Sequence, residues 1–232
     1  WDELKPLLKA VDISDYARKC GILEEELRAA ARTMSNARSM ATEEDLGIEM
    51  APHSTLNSWL QRLLYLLTGN FGNEGGMNIP NRLAPICGHS AEGATEPVTG
   101  TPLLCGLMAC AAIPDAIDTD HPDRFRGMIV ESSNPLHSLP DSKRFRDAFA
   151  KLDCLVVIDV AMTETARQAN YILPACSQYE KAEATFFAGE MPSNTFHIRQ
   201  PIFEPLGDTL PEAEIHARLV EAMGGEPEGV QE

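Results

Sequence analysis

The sequence predicts an α/β fold: a Rossmann-like parallel sheet flanked by helices, with an N-terminal mostly helical segment before it. Three observations carry this. From residue 127 onward, short apolar runs alternate with helical patterns, as in parallel βαβ units. The run Cys154–Ile158 is continuous in Leu, Val and Ile, which suits a strand buried on both faces. Upstream, residues 54–68 repeat Leu56, Trp59, Leu60, Leu63, Leu64 and Leu67 at helical spacing, giving a wide apolar stripe.

Taken in order, residues 12–34 read as two short helices. Asp12 or Ser14 caps the first and Gly21 ends it, while Leu27, Ala30, Ala31 and Met34 share one face of the second. Leu46–Met50 is a candidate strand. Ser54 or Thr55 caps the helix of residues 54–68, which stops at Thr68-Gly69-Asn70 and opens into the glycine-rich loop GNFGNEGGMN. Residues 79–126, rich in Pro, Gly and small side chains, read as an irregular connection. Gly127–Glu131 is a strand and Ser132-Ser133-Asn134-Pro135 a turn. Leu139–Leu152 is a helix with Pro140 in its first turn and Phe145, Ala148, Phe149 and Leu152 on one face. The strand ending at Asp159 leads into a short helix capped by Thr163, then into a strand at Tyr171–Leu173. The last helix, Glu212–Met223, carries Ile215, Leu219, Val220 and Met223 and ends at Gly224-Gly225.

Composition narrows the function classes. A net charge of −16 over 232 residues argues against nucleic acid or an anionic membrane surface as partner. No apolar run approaches the roughly 18–20 residues of a membrane helix, so direct membrane insertion is not expected. The six cysteines contain no CxxC pair, which speaks against a zinc or iron–sulfur site built from them alone. A reducing, cytoplasmic setting fits them. No GxGxxG follows a strand, so a nicotinamide-type Rossmann enzyme is not indicated. No catalytic acid–base pair or activated nucleophile is visible. The chain opens at Trp1 as if inside a longer polypeptide, and an internal fragment is expected.

The candidate binding residues lie where strands deliver the chain into loops. In open parallel sheets, ligands bind at the carboxyl ends of the strands. Ser132, Ser133, Asn134 and Pro135 follow one strand and can offer hydroxyl, amide and backbone N–H groups to a phosphate or sugar. Asp159, at the next strand end, is placed to accept from a ribose or a guanine N–H. Thr163, Glu164 and Thr165 open a helix whose N-terminus favours phosphate. The plainer reading is a simple Asn-Pro turn and a simple Thr cap. In the glycine-rich loop, Asn70, Gly72, Gly75 and Gly76 either turn the chain or let backbone approach a ligand closely. His53 and Asn57 stand at the start of the long helix, at another possible strand end. Arg82 and His89 in the irregular connection are weaker candidates.

Three segments, TGNFGNEGG (68–76), ESSNPLHSLPD (131–141) and VIDVAMTETARQANYILPACSQYE (157–180), in that order and spacing, resemble the molybdopterin oxidoreductases. That family includes formate dehydrogenases, nitrate reductases and dimethyl sulfoxide reductases. The resemblance covers roughly residues 12–225 and only a middle part of the family's longer chain. It implies an oxidoreductase that holds molybdenum or tungsten between two molybdopterin guanine dinucleotides, with a 4Fe-4S cluster elsewhere in the parent chain. It also implies a small-molecule substrate and an electron-transfer partner subunit or domain. Residues 1–78 would then belong to one dinucleotide-binding α/β domain, 79–126 would connect, 127–225 would form the α/β dinucleotide-binding domain, and 226–232 would be a tail. The segment EKAEAT (180–185) lacks a glycine common in the family, and MPSNTFHIRQ replaces its E-G-R element. The resemblance extends to a second kind of relative: respiratory-chain subunits that keep the architecture and a cluster but have lost the pterin. The isolated fragment is expected to be catalytically inactive.

Overall fold

The structure, a computed structural model, describes residues 1–77, 91, 93–185 and 196–225. Arg82, His89, the end of the glycine-rich loop at Asn78, the first half of MPSNTFHIRQ and the tail lie outside these residues. The described residues fall into two compact units, 1–77 and those from 91 onward.

The first unit is helical: α1 (Leu4–Lys9), α2 (Ile13–Cys20), α3 (Glu24–Asn36), α4 (Leu46–Glu49) and α5 (Ser54–Leu67). The Asp12 side chain caps α2 by accepting from the Asp15 N–H at 3.0 Å, and Gly21 ends it at φ 70°. Ser14 instead bonds Glu24 at the start of α3. The expected strand Leu46–Met50 is a single helical turn. The Asp45 carboxylate accepts from the Leu46 N–H at 2.6 Å, and the Ile48 N–H returns to the Asp45 carbonyl. Five alternating residues cannot separate a period of two from one of 3.6, so the capping aspartate decides. Neither Ser54 nor Thr55 caps α5. His53 takes the cap position at φ 62°, and its carbonyl accepts the first helical bond, from the Asn57 N–H.

The apolar stripe of α5 is only partly used within this unit. Leu63 and Tyr65 are buried, whereas Leu56, Trp59, Leu60 and Leu67 are exposed. Tyr65 anchors the preceding segment: its hydroxyl donates to the Thr42 carbonyl at 2.8 Å and accepts from the Thr42 N–H at 2.5 Å.

The second unit is built on a parallel sheet of β1 (Gly127–Glu131), β2 (Cys154–Asp159) and β3 (Tyr171–Pro174), in the order β1-β2-β3. Glu131 stands beside Ile158, and Asp159 beside Pro174, so the three strands end at one rim. On one face Val130, Leu155 and Val157 pack with Ile117, Leu136, Phe145, Ala148, Phe149 and Leu152. Phe145 and Phe149 meet edge to face at 6.0 Å. On the other face Ile158 and Ala175 pack against Ile215 of α9 (Glu212–Ala222). Burial on both faces accounts for the unbroken apolar run of β2. Asn170 registers β3 by exchanging two bonds with Leu155, side-chain oxygen from its N–H at 2.7 Å and backbone N–H to its carbonyl at 2.8 Å. A separate antiparallel pair joins β4 (Glu183–Thr185) to β5 (His197–Arg199).

Two expectations change here. The helix expected at Leu139–Leu152 is shorter, α8 (Ser142–Phe149), and a separate single turn, α7 (Pro135–Ser138), precedes it. Leu139 is extended, as a residue before proline prefers, and Asp141 caps α8 through the Arg144 N–H. The stretch expected to be irregular contains a 3₁₀ turn at Cys110–Ala112 and α6 (Ile113–Ile117), whose Pro114, Ala116 and Ile117 are buried. Pro114 fits the first turn, where its missing N–H costs nothing.

The core face predicts a sharp asymmetry. Phe145→Ala should cost about 3–5 kcal/mol, whereas Ile129→Ala, at an exposed position on β1, should cost roughly 0.5 kcal/mol or less. Urea denaturation followed by far-ultraviolet circular dichroism checks both.

Candidate functional site

The rim at the carboxyl ends of β1 and β2 is where the sequence-derived candidates of the second unit converge. The loop after β1 holds Ser132, Ser133, Asn134 and Pro135; the loop after β2 holds Asp159, Thr163, Glu164 and Thr165. One cluster of hydrogen bonds ties the loops together. The Asn134 side-chain oxygen accepts from the Thr165 hydroxyl at 2.8 Å and from the Thr165 N–H at 3.2 Å. The Thr165 hydroxyl accepts in turn from the Leu136 N–H at 3.2 Å. Thr165 is fully buried, so its donor and acceptor are both used inside the fold. The Asn134 amide then donates to Glu164 at 2.7 Å.

The remaining groups face outward. Ser132 and Ser133 are exposed, and Ser132 leaves β1 at φ 50° while its N–H still bonds the Ile158 carbonyl at 3.0 Å. A positive φ on a side-chain-bearing residue at a strand end is the kind of local strain that recurs at ligand sites. Asp159 is half-buried; one carboxylate oxygen accepts from the Ala161 N–H at 3.0 Å, and the other has no bond partner among the described residues. The Thr163 hydroxyl accepts from the Ala166 N–H at 3.1 Å. The helix expected there is only a 3₁₀ turn, Ala166–Gln168. It is too short to act through a macrodipole, so anion affinity has to come from side chains and individual N–H groups.

Electrostatics at the rim are mixed. The Glu164 carboxyl is held below its ordinary value, first by the Asn134 bond and then by its own N–H, with the charges of His137 and Arg167 adding to this. From α9, His216 reaches Glu131 at the end of β1, Nε2 to Oε2 2.6 Å. Sequence reasoning missed Glu131, His137, Arg167 and His216. The last is 85 residues from its partner, and no local pattern signals such a pairing.

The first-unit candidates form separate groups. Asn70 is buried; its side-chain oxygen accepts from the Met40 N–H at 2.9 Å, and its amide donates to the Thr68 hydroxyl at 2.9 Å. Gly76 packs on it so closely that a Cβ would stand 2.2 Å from the Asn70 carbonyl oxygen, and one at Gly75 would stand 2.9 Å from the Ser39 hydroxyl. The loop's own packing therefore requires both glycines. Gly72, at φ 75°, has open space where a side chain would be. His53 lines an open groove of about 820 Å³ with Ser54, Thr55, Leu56 and Trp59. Asn57 lines a different hollow of about 410 Å³ with Thr42, Glu44 and Ile48. Among the described residues, no group of three or more His, Cys, Asp or Glu side chains is arranged to hold a metal ion. No helix among them is long and apolar enough to cross a membrane.

Comparison with known proteins agrees with the fold. The family model for molybdopterin oxidoreductases matches residues 47–222. The F420-dependent formate dehydrogenase subunit alpha of Methanocaldococcus jannaschii is 28% identical over 241 residues, covering 97% of this chain and 35% of that protein. A trimethylamine-N-oxide reductase of Vibrio vulnificus (strain YJ016) is 34% identical over 100 residues, covering 43% of this chain and 12% of that protein. The acetylene hydratase structure from Pelobacter acetylenicus superposes with a TM-score of 0.78 at 20% identity, over 96% of this chain and 35% of that one. At that identity the likeness speaks for the fold. Where nearly the whole chain is matched, it spans about a third of the relative's length.

The buried hydroxyl is the testable keystone of the rim. Thr165→Val keeps the shape but strands the Leu136 N–H and leaves the Asn134 oxygen only the Thr165 N–H, and should cost about 1–3 kcal/mol. Thr165→Ser should restore most of that. Urea midpoints of the three proteins decide it.

Proposed function

Since the chain belongs to the molybdopterin oxidoreductase family, we propose that its second unit binds the guanine dinucleotide end of a molybdopterin cofactor at the rim of β1 and β2. The observation that carries this reading is the meeting of two polar loops at adjacent, parallel strand ends, the position at which such sheets take ligands. The donor set fits the group. Asp159 offers a carboxylate oxygen to the N–H donors of guanine or the hydroxyls of ribose. Ser132 and Ser133 offer exposed hydroxyls to sugar or phosphate. Thr165 and Asn134 hold the two loops in register and exclude water from beneath them.

The finer reading is that the protein is part of a molybdenum- or tungsten-dependent enzyme with two molybdopterin guanine dinucleotides. When bound, that cofactor carries the redox chemistry at its metal, and the polypeptide supplies binding and orientation. The reading extends to a 4Fe-4S cluster in the longer parent, a small-molecule substrate, an electron-transfer partner subunit or domain, and a cytoplasmic setting. Formate and trimethylamine N-oxide, named in the relatives, are the substrates to assay first. One observation favours a second reading, that of a relative without the pterin: Asn134, Glu164 and Thr165 satisfy one another without any ligand.

Asp159→Asn separates binding from folding, because the amide oxygen can still accept from the Ala161 N–H. Guanosine binding measured by calorimetry should weaken about ten- to hundredfold, as expected for loss of a charged hydrogen bond, with an unchanged urea midpoint. Unchanged binding with a lowered midpoint would mean that Asp159 only serves its turn.

A further inference from the structure

The end of β1 carries a long-range pairing that ligand binding at the rim does not by itself require. Glu131 is the last residue of β1, and its carboxylate meets Nε2 of His216 on α9 at 2.6 Å. Side chains alternate along a strand. Val130 faces the Phe145 core, so Glu131 falls on the opposite face, the one that α9 covers. Asp159 at the end of β2 alternates the other way, because Ile158 before it packs against α9. Of these two strand-end carboxylates, Glu131 is therefore the one on the α9 face.

His216 belongs to a small charged set. Glu212 lies one turn earlier on the same side of α9. Lys181, from the loop after β3, engages Glu212 at 2.5 Å through both carboxylate oxygens. Glu214 and Arg218 pair with each other on another side of the helix, where Arg218 lines a hollow with Asp208. With Glu212 held by Lys181, Glu131 is the carboxylate that His216 serves. The route from Glu131 to the rim is short. Ser132 follows directly at φ 50°, its N–H bonded to the Ile158 carbonyl at 3.0 Å, and the exposed Ser133 comes next.

We propose that His216 is a positioning residue that sets the charge at the end of β1: protonated, it compensates Glu131 and holds the strand end against α9; neutral, it leaves an uncompensated carboxylate beside Ser132. The ligand that reads this charge is a phosphate ester, and in that respect the proposal rests on the reading of the rim as a nucleotide site. Histidine is the side chain that changes charge near neutral pH. The sign follows from the pairing. As pH falls, Glu131 is compensated and phosphate at Ser132 and Ser133 is repelled less. As pH rises, the repulsion returns. At the spacing of neighbouring residues in water, such repulsion amounts to about threefold in affinity per phosphate charge, and salt weakens it. Glu131 is thereby more than a contact of α9, because its partner decides what an anion meets at the strand end.

Two measurements on the full chain test it. In nuclear magnetic resonance of the free protein, the Ser132 and Ser133 amides should shift together with the His216 imidazole between about pH 6 and 8. His216→Gln, whose amide can still donate to Glu131, should abolish that response without lowering the urea midpoint. In calorimetry at low salt, the probe is GDP-mannose, a guanosine diphosphate ester whose charge is constant over this range. It should bind about three- to tenfold tighter at the acid end. Glu131→Gln should bind it tightly at both ends, and uncharged guanosine should show no pH dependence. His137→Gln, which removes the histidine of α7, should keep the response. Serine amides that ignore His216 overturn the proposal, and so does a pH response of GDP-mannose binding that survives His216→Gln or is lost in His137→Gln. If neither guanosine nor GDP-mannose binds while the serine amides follow His216, the nucleotide reading falls and the control of the strand end by His216 stands.

Discussion

A single buried hydroxyl, that of Thr165, holds the rim of the sheet in shape. It donates to Asn134 and accepts from Leu136, and so joins a loop after β1 to a loop after β2 across about thirty residues of chain. A buried hydroxyl with both functions satisfied is stabilising, and the same hydroxyl with either partner lost is costly. The loops are therefore held in one relative position. Everything that faces outward from them, Ser132, Ser133, Asp159 and Glu164, inherits its placement from this contact. The core below is ordinary by comparison: Val157, Phe145 and their neighbours make the platform, and the hydroxyl fixes what stands on it.

Much of the fold was legible in the sequence, for physical reasons. A strand buried on both faces cannot avoid a continuous apolar run, so Cys154–Ile158 reveals itself. Gly21 and the cap Asp12 bracket α2 because backbone donors and left-handed turns demand such residues. Where the reading failed, local chemistry competed with periodicity. Asp45 turned a five-residue alternation into helix, and Pro140 with Asp141 delayed the start of the expected helix to Ser142. Within the stretch read as irregular, Pro114 occupies a helical first turn.

The candidate site was legible as residue types, less so as partners. Ser132, Asn134 and Asp159 could be named from strand-end position. That Asn134 binds Glu164 and Thr165 rather than facing outward alone depends on two loops meeting, which no single segment encodes. The pairing of His216 with Glu131 is longer in range still. The glycines of the loop after α5 carry a second lesson. Gly75 and Gly76 are needed by the chain's own packing against Ser39 and Asn70, so a glycine-rich motif can report a folding constraint as readily as a ligand.

The central claim is that the strand-end loops of β1 and β2 form the ligand-binding surface of this chain. Amide chemical-shift mapping by nuclear magnetic resonance, with guanosine 5′-diphosphate added to the labelled protein, tests it most directly. The account predicts the largest shifts at Ser132, Ser133 and the amides from Val160 to Glu164, with β2 itself nearly unmoved. Shifts concentrated in α9 or within residues 1–77, with the strand-end amides unchanged, would contradict it.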